Sequence, residues 1–88
     1  MPPPATFTRY RDTNCYARRG NAELDIDSGD GLRLGVSECQ RLCRETQGCE
    51  AVTIKRGEDT CWRRGRNIDV AACDVGARGR GYDTYVIV

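Results

Sequence analysis

The 88-residue chain contains no histidine. That absence removes the commonest general base, the nucleophilic triads built on it and every mixed cysteine/histidine zinc site. Lysine occurs once, at Lys55, so the fourteen cations are otherwise all arginine, set against thirteen carboxylates for a formal net charge of +1. A near-neutral chain offers no overall field for nucleic acid, and any electrostatic partner must meet a local patch. No stretch approaches the roughly 18 to 20 consecutive apolar residues of a membrane span, so no membrane insertion is expected. Nor is there an Asn-x-Ser/Thr acceptor, because Asn14, Asn21 and Asn67 are followed two places on by Tyr16, Glu23 and Asp69.

Cysteine, by contrast, is plentiful. Six in 88 residues is a density that reads as a disulfide framework formed in an oxidising compartment, and a secreted or extracellular location is expected. Such a short chain buries only about 60 to 65% of its unfolded surface, so cross-links matter for stability. The opening Met1-Pro2-Pro3-Pro4 has no apolar leader and reads as extended. Residues 1–6 are therefore expected to be a linker or an added start, and residues 7–88 one domain.

Along the chain, Phe7 to Tyr16 fits an edge strand and its exit. Leu24, Ile26, Leu32 and Leu34 alternate with polar residues on both sides of Asp27-Ser28-Gly29-Asp30-Gly31, a period-two pattern that predicts a hairpin. Ser37 is placed to cap a helix with Gln40 completing a capping box, over Glu38 to Gln47, before Gly48 ends it. Cys39 and Cys43 are i,i+4 on that helix and project from one face, inward. Ala51 to Ile54 and Thr60 to Trp62 predict a second hairpin around Arg56-Gly57-Glu58-Asp59, and Tyr82 to Val88 predicts a closing strand. The fold class expected is α+β, one short helix on an antiparallel sheet.

Six cysteines permit fifteen pairings, and spacing alone does not choose among them. With Cys39 and Cys43 facing the sheet, Cys49 and Cys61 on the neighbouring hairpin are natural partners, which staples helix to hairpin twice. The arrangement Ser37-x-Cys39-x-x-x-Cys43, then Gly48-Cys49-x-Ala51, then Cys61 on the next strand, resembles the PAN/apple domain family. The resemblance runs from about Cys15 to Val88, with Val52 where an aromatic is common and a long Arg/Gly-rich excursion before Cys73. It implies a curved antiparallel sheet with the helix across it and the pairs Cys39–Cys61, Cys43–Cys49 and an outer Cys15–Cys73. It also implies adhesion to carbohydrate or protein, as one module of a larger extracellular protein.

Trp62-Arg63-Arg64-Gly65-Arg66 sets three guanidinium groups beside the only tryptophan. Arginine forks match sulfate and carboxylate oxygens bidentately, and an indole offers a stacking surface for a sugar ring. Arg78, Arg80 and an exposed Tyr85 extend the candidate ligand patch, and an acidic glycan is the expected ligand. The plainer alternative packs Trp62 into the core and leaves the arginines on a solvated loop. Asp25, Asp27 and Asp30 on a Gly-containing turn form a weak calcium candidate, against which stands an ordinary acidic turn, since Val36 occupies the place where an EF-hand loop carries glutamate. Tyr82 and Tyr85, three apart on a strand, face opposite sides, one toward the core and one exposed. Glu58/Asp59 and Asp69/Asp74 are too confined in so small a domain to flank a substrate, so no enzyme and no cofactor are expected. The alternative to a glycan-binding module is a protein-interaction module, with a structural spacer third.

Overall fold

A computed structural model of the protein describes residues 6–17 and 25–88. Leu24 and the proline-rich start at 1–5 lie outside the described residues. The element order is β1 (Phe7–Tyr10), β2 (Thr13–Asn14), α1 (Val36–Glu45), β3 (Ala51–Lys55), β4 (Thr60–Arg64), β5 (Asp74–Val75) and β6 (Tyr82–Ile87), with 3-10 turns at Val70–Ala72 and Gly76–Gly79. Four strands form an antiparallel sheet in the order β1-β6-β3-β4, and β2 pairs with β5 in a separate two-stranded ladder. The expected closing strand is β6, and it lies inside the sheet between β1 and β3 rather than at its edge.

The helix forms where Cys39 and Cys43 share a face, and both are buried against β3 and β4. Its start differs from expectation. Gly35 is the N-cap and Ser37 lies inside the first turn, with no side-chain cap. The Gly35 carbonyl already accepts the Cys39 N–H at 3.0 Å, so the turn closes two residues before the serine cap implied. At the far end Thr46 closes the helix, its N–H donating to the Cys43 carbonyl at 3.0 Å and its hydroxyl to the Leu42 carbonyl at 2.7 Å. Gly48, at φ +86°, then turns the chain into β3 in a left-handed conformation that L side chains rarely adopt.

Among the described residues 25–34 the two flanks of the expected hairpin do not pair with each other. Asp25 instead bridges Arg64, and Leu32 bridges Cys61, so both flanks of the turn lie along β4. Period two reports that a segment is extended and half-buried; it does not say which strand the segment pairs with.

Three disulfides join Cys15 to Cys73, Cys39 to Cys61 and Cys43 to Cys49, the pairs the resemblance implies. On the helix side of the sheet, Cys39, Cys43, Cys49, Val52, Ile54 and Cys61 form the core, flanked by Leu32, Leu34, Val36, Tyr85 and Ile87. The other side holds a smaller cluster, Cys15 and Cys73 with Ile68. By chain-entropy reasoning the three cross-links are worth about 4, 3.5 and 2.5 kcal/mol in order of decreasing loop length. No helix among the described residues is long and apolar enough to cross a membrane.

Candidate binding groove

Side chains alternate along β4, so Cys61 and Arg63 face the helix side while Trp62 and Arg64 face the other. Both arginines, expected from sequence to face a ligand, are engaged within the protein. Arg63 clamps Asp27 with two parallel bonds, Nε to Oδ2 at 2.8 Å and Nη2 to Oδ1 at 2.9 Å, and donates through Nη1 to the Thr46 hydroxyl at 3.0 Å. Asp27 Oδ2 also accepts the Arg63 backbone N–H at 3.0 Å. These bonds hold the Asp27 carboxyl below the ordinary aspartate range and raise Arg63 in turn. Arg64 is 4% exposed and donates from Nη1 to Asp25 Oδ1 at 2.7 Å and to the Asp27 carbonyl at 2.9 Å. Burial pushes the Arg64 pKa down, against the opposing pull of the Asp25 and Asp27 charges.

Two of the three carboxylates of the calcium candidate take part in the same pairing. Asp25 and Asp27 are counter-ions to β4, and Asp25 Oδ1 also accepts the Ala17 N–H at 3.0 Å. Among the described residues no group of three His, Cys, Asp or Glu side chains converges to hold a metal ion. Arg63 and Arg64 with Asp25 and Asp27 thus make one ion-paired joint that straps residues 25–27 to the sheet.

Trp62 is not part of that joint. Its indole N–H donates to the Gly29 carbonyl at 2.9 Å, and its ring stands 6.1 Å from the Tyr82 ring at an interplanar angle of 50°. Gly31, at φ +72°, passes so close that a Cβ there would come within 2.7 Å of the indole and of the Cys61 carbonyl. Only glycine allows the turn to lie flat on the tryptophan. The indole is therefore held on one flank by the 29–31 turn and presented with Tyr82 to an open concavity of about 760 Å³, lined also by Arg33, Lys55, Glu58 and Thr60. A second concavity of about 250 Å³, lined by Asn14, Tyr16, Asp25 and Ser28, meets the first at Gly29, Trp62 and Tyr82. The two concavities, a wide arm and a narrow arm, share Gly29, Trp62 and Tyr82 as lining.

Other expected ligand residues lie elsewhere. Arg66, Arg78 and Arg80 are exposed and line neither arm. Tyr85 pairs with Val52 on the helix face and packs against the core, with the Arg9 guanidinium 6.0 Å from its ring centroid. Tyr82 and Tyr85 do face opposite sides of the sheet, but Tyr82, not Tyr85, joins Trp62. The signal was parity: Tyr82 pairs with Lys55, two residues from the Thr53 that pairs with Trp62, which sets both rings on one face. Asp30, proposed for calcium, instead borders the wide arm. No protein-family model, curated protein or solved structure matches the chain.

Proposed function

We propose that the protein is a non-catalytic, PAN/apple-like extracellular module that binds carbohydrate in the groove between Trp62 and Tyr82. The observation that carries this reading is the aromatic pair. Two amphipathic rings, one of them pinned by a hydrogen bond and a glycine turn, offer apolar faces to the C–H surfaces of a pyranose. Around them stand Arg33, Asp30, Glu58, Thr60 and Lys55, a mixture of donors and acceptors suited to hydroxyl groups. Pre-positioning of the indole lowers the ordering cost of binding. Three disulfides and the lack of a long apolar helix among the described residues fit an extracellular module.

The oxidised protein on a glycan array tests the proposal. Binding is expected and should disappear in Trp62→Ala, while thermal unfolding shows that the variant remains folded. A folded protein that binds no glycan, and captures a protein ligand on the same face, would replace this reading with the protein-interaction one.

A further inference from the structure

Resting on the carbohydrate reading, we infer that the ligand is an uncharged oligosaccharide that lies across the Trp62/Tyr82 pair and occupies both arms of the groove, rather than a sulfated or carboxylated glycan. Charge decides the class. In the wide arm the cations Arg33 and Lys55 face the carboxylates Asp30 and Glu58, a formal balance of zero. Lys55 is engaged on two sides, its ammonium 3.4 Å from Glu58 and 6.0 Å from the Tyr82 ring centroid. In the narrow arm Asp25 and Arg64 are already bonded to each other. The Arg63 fork is closed on Asp27 and buried Arg64 is bonded to Asp25, and in the wide arm the one guanidinium, Arg33, shares its surroundings with two carboxylates that an anionic group would have to approach. Hydroxyl groups meet no such conflict, because they donate to Asp30 or Glu58 and accept from Arg33 or Lys55 with equal ease.

Extent follows from shape. The wide arm falls within the roughly 300 to 1,000 Å³ range of sites that enclose a whole small ligand. The narrow arm is smaller and is lined by the same two rings. A chain of sugars can therefore stack on the aromatic pair and continue past it, with Asn14, Tyr16 and Ser28 supplying the polar contacts of the narrow arm. A single sugar fills one arm and leaves the other to water.

Titration of the oxidised protein with neutral gluco-, galacto-, manno- and N-acetylhexosamine oligosaccharides of increasing length, alongside a heparin-derived sulfated tetrasaccharide, tests this. One neutral series should gain at least about tenfold in affinity from the single sugar to the trimer, with less than about twofold change between low and high salt. Trp62→Ala should abolish that binding. Trp62→Phe, which keeps one aromatic ring while losing the rest of the indole and its bond to Gly29, should retain part of it and guards against a folding defect. The double variant Asp30→Asn/Glu58→Gln should acquire affinity for the sulfated tetrasaccharide. Salt-sensitive binding of the sulfated probe by the unaltered protein, with no neutral ligand, overturns the inference and leaves the carbohydrate reading standing. Affinity that stops rising at the single sugar overturns occupation of both arms. If the folded protein binds neither class, the carbohydrate reading itself fails.

Discussion

The two faces of the four-stranded sheet are built from different chemistry. Toward the helix, Val52, Ile54 and Cys61 meet Cys39 and Cys43, and two disulfides lie within the packed layer. On the reverse, the residues next along the same strands are Thr53 and Thr84, both fully buried, whose hydroxyls are 3.0 Å apart. Thr84 donates to the Thr13 carbonyl at 2.9 Å, and Thr53 reaches the Cys15 carbonyl at 3.3 Å. The covering layer here is backbone from β2 rather than an apolar helix face, so its carbonyls require donors, and threonine supplies them. A helix covers its face with side chains that satisfy each other by contact. A two-residue strand covers only a little, and the uncovered remainder of the reverse face is where Trp62 and Tyr82 form the groove.

The largest way to break this comparison is to remove the cross-link that holds the reverse face. Cys15→Ala/Cys73→Ala opens the longest loop and should lower unfolding free energy by about 4 kcal/mol, against about 2.5 kcal/mol for Cys43→Ala/Cys49→Ala. Urea titration of both double variants checks the order. A reversed order would mean that packing around the sulfurs, not loop length, sets their worth.

Next in size is a polar cluster at the open end of the helix face. Asp83, 1% exposed, accepts from Arg9 Nη2 at 2.7 Å, Arg56 Nη1 at 2.7 Å and the Asp12 N–H at 3.1 Å, while Arg56 Nη2 also donates to Asp12 at 2.6 Å. Burial opposes the charge on Asp83, but the bonds from Arg9 and Asp12 and the nearby guanidinium charges outweigh it and hold its carboxyl below the ordinary value of 3.8. Asp27 is depressed as well, chiefly through its bonds from Arg63. Each depressed carboxylate contributes stability that is fully present above its unfolded pKa, about 3.9, and is lost as pH falls through the folded value. Stability should therefore be level above about pH 5 and decline through and below pH 4. Asp83→Asn should cost about 2 kcal/mol at neutral pH, discounted because Arg9 and Arg56 are partly solvated. The variant should also show a shallower acid decline in denaturation curves between pH 2 and 6. An unchanged slope would remove Asp83 from the acid response.

Some of this was legible in the chain and some was not, for identifiable reasons. The helix was visible because Cys39 and Cys43 sit i,i+4 within good helix formers, a purely local signal. The strands β3, β4 and β6 were visible from β-branched and aromatic runs bounded by turn residues. The pairing of the basic run with the acidic turn is not legible because its two halves are far apart in sequence: Asp27 meets Arg63 across 36 residues and Asp25 meets Arg64 across 39. Composition displayed a basic run and an acidic turn, and either one alone resembles a ligand site. Only tertiary pairing reveals that they cancel. Tyr82 was passed over for Tyr85 because strand parity fixes that the two differ without fixing which side the helix covers.

A finer test exchanges the chemistry of the two faces at adjacent residues. Val52→Thr places an unpartnered hydroxyl in the helix-side core, and Thr53→Val withdraws the hydroxyl that bonds to Thr84 and reaches the Cys15 carbonyl. Although the two changes run in opposite directions in polarity, each should destabilise by about 1 to 2 kcal/mol. Thermal unfolding of the two single variants measures this. A stabilised Thr53→Val would mean that the reverse face behaves as ordinary apolar core.

The smallest expected effect is at the arginines that lie outside the groove. Arg78 belongs to the 3-10 turn at Gly76–Gly79 and Arg80 follows it, both exposed beside β5 and away from Trp62. Arg78→Ala/Arg80→Ala should change stability by less than about 0.5 kcal/mol and leave glycan affinity within about twofold, because the groove holds no net charge for a distant cation to reinforce. Parallel titration of this variant and of Trp62→Ala with the same neutral oligosaccharide separates the two regions. A large loss in the arginine variant would place binding on the loop between β5 and β6. A loss confined to Trp62→Ala assigns it to the face the helix leaves open.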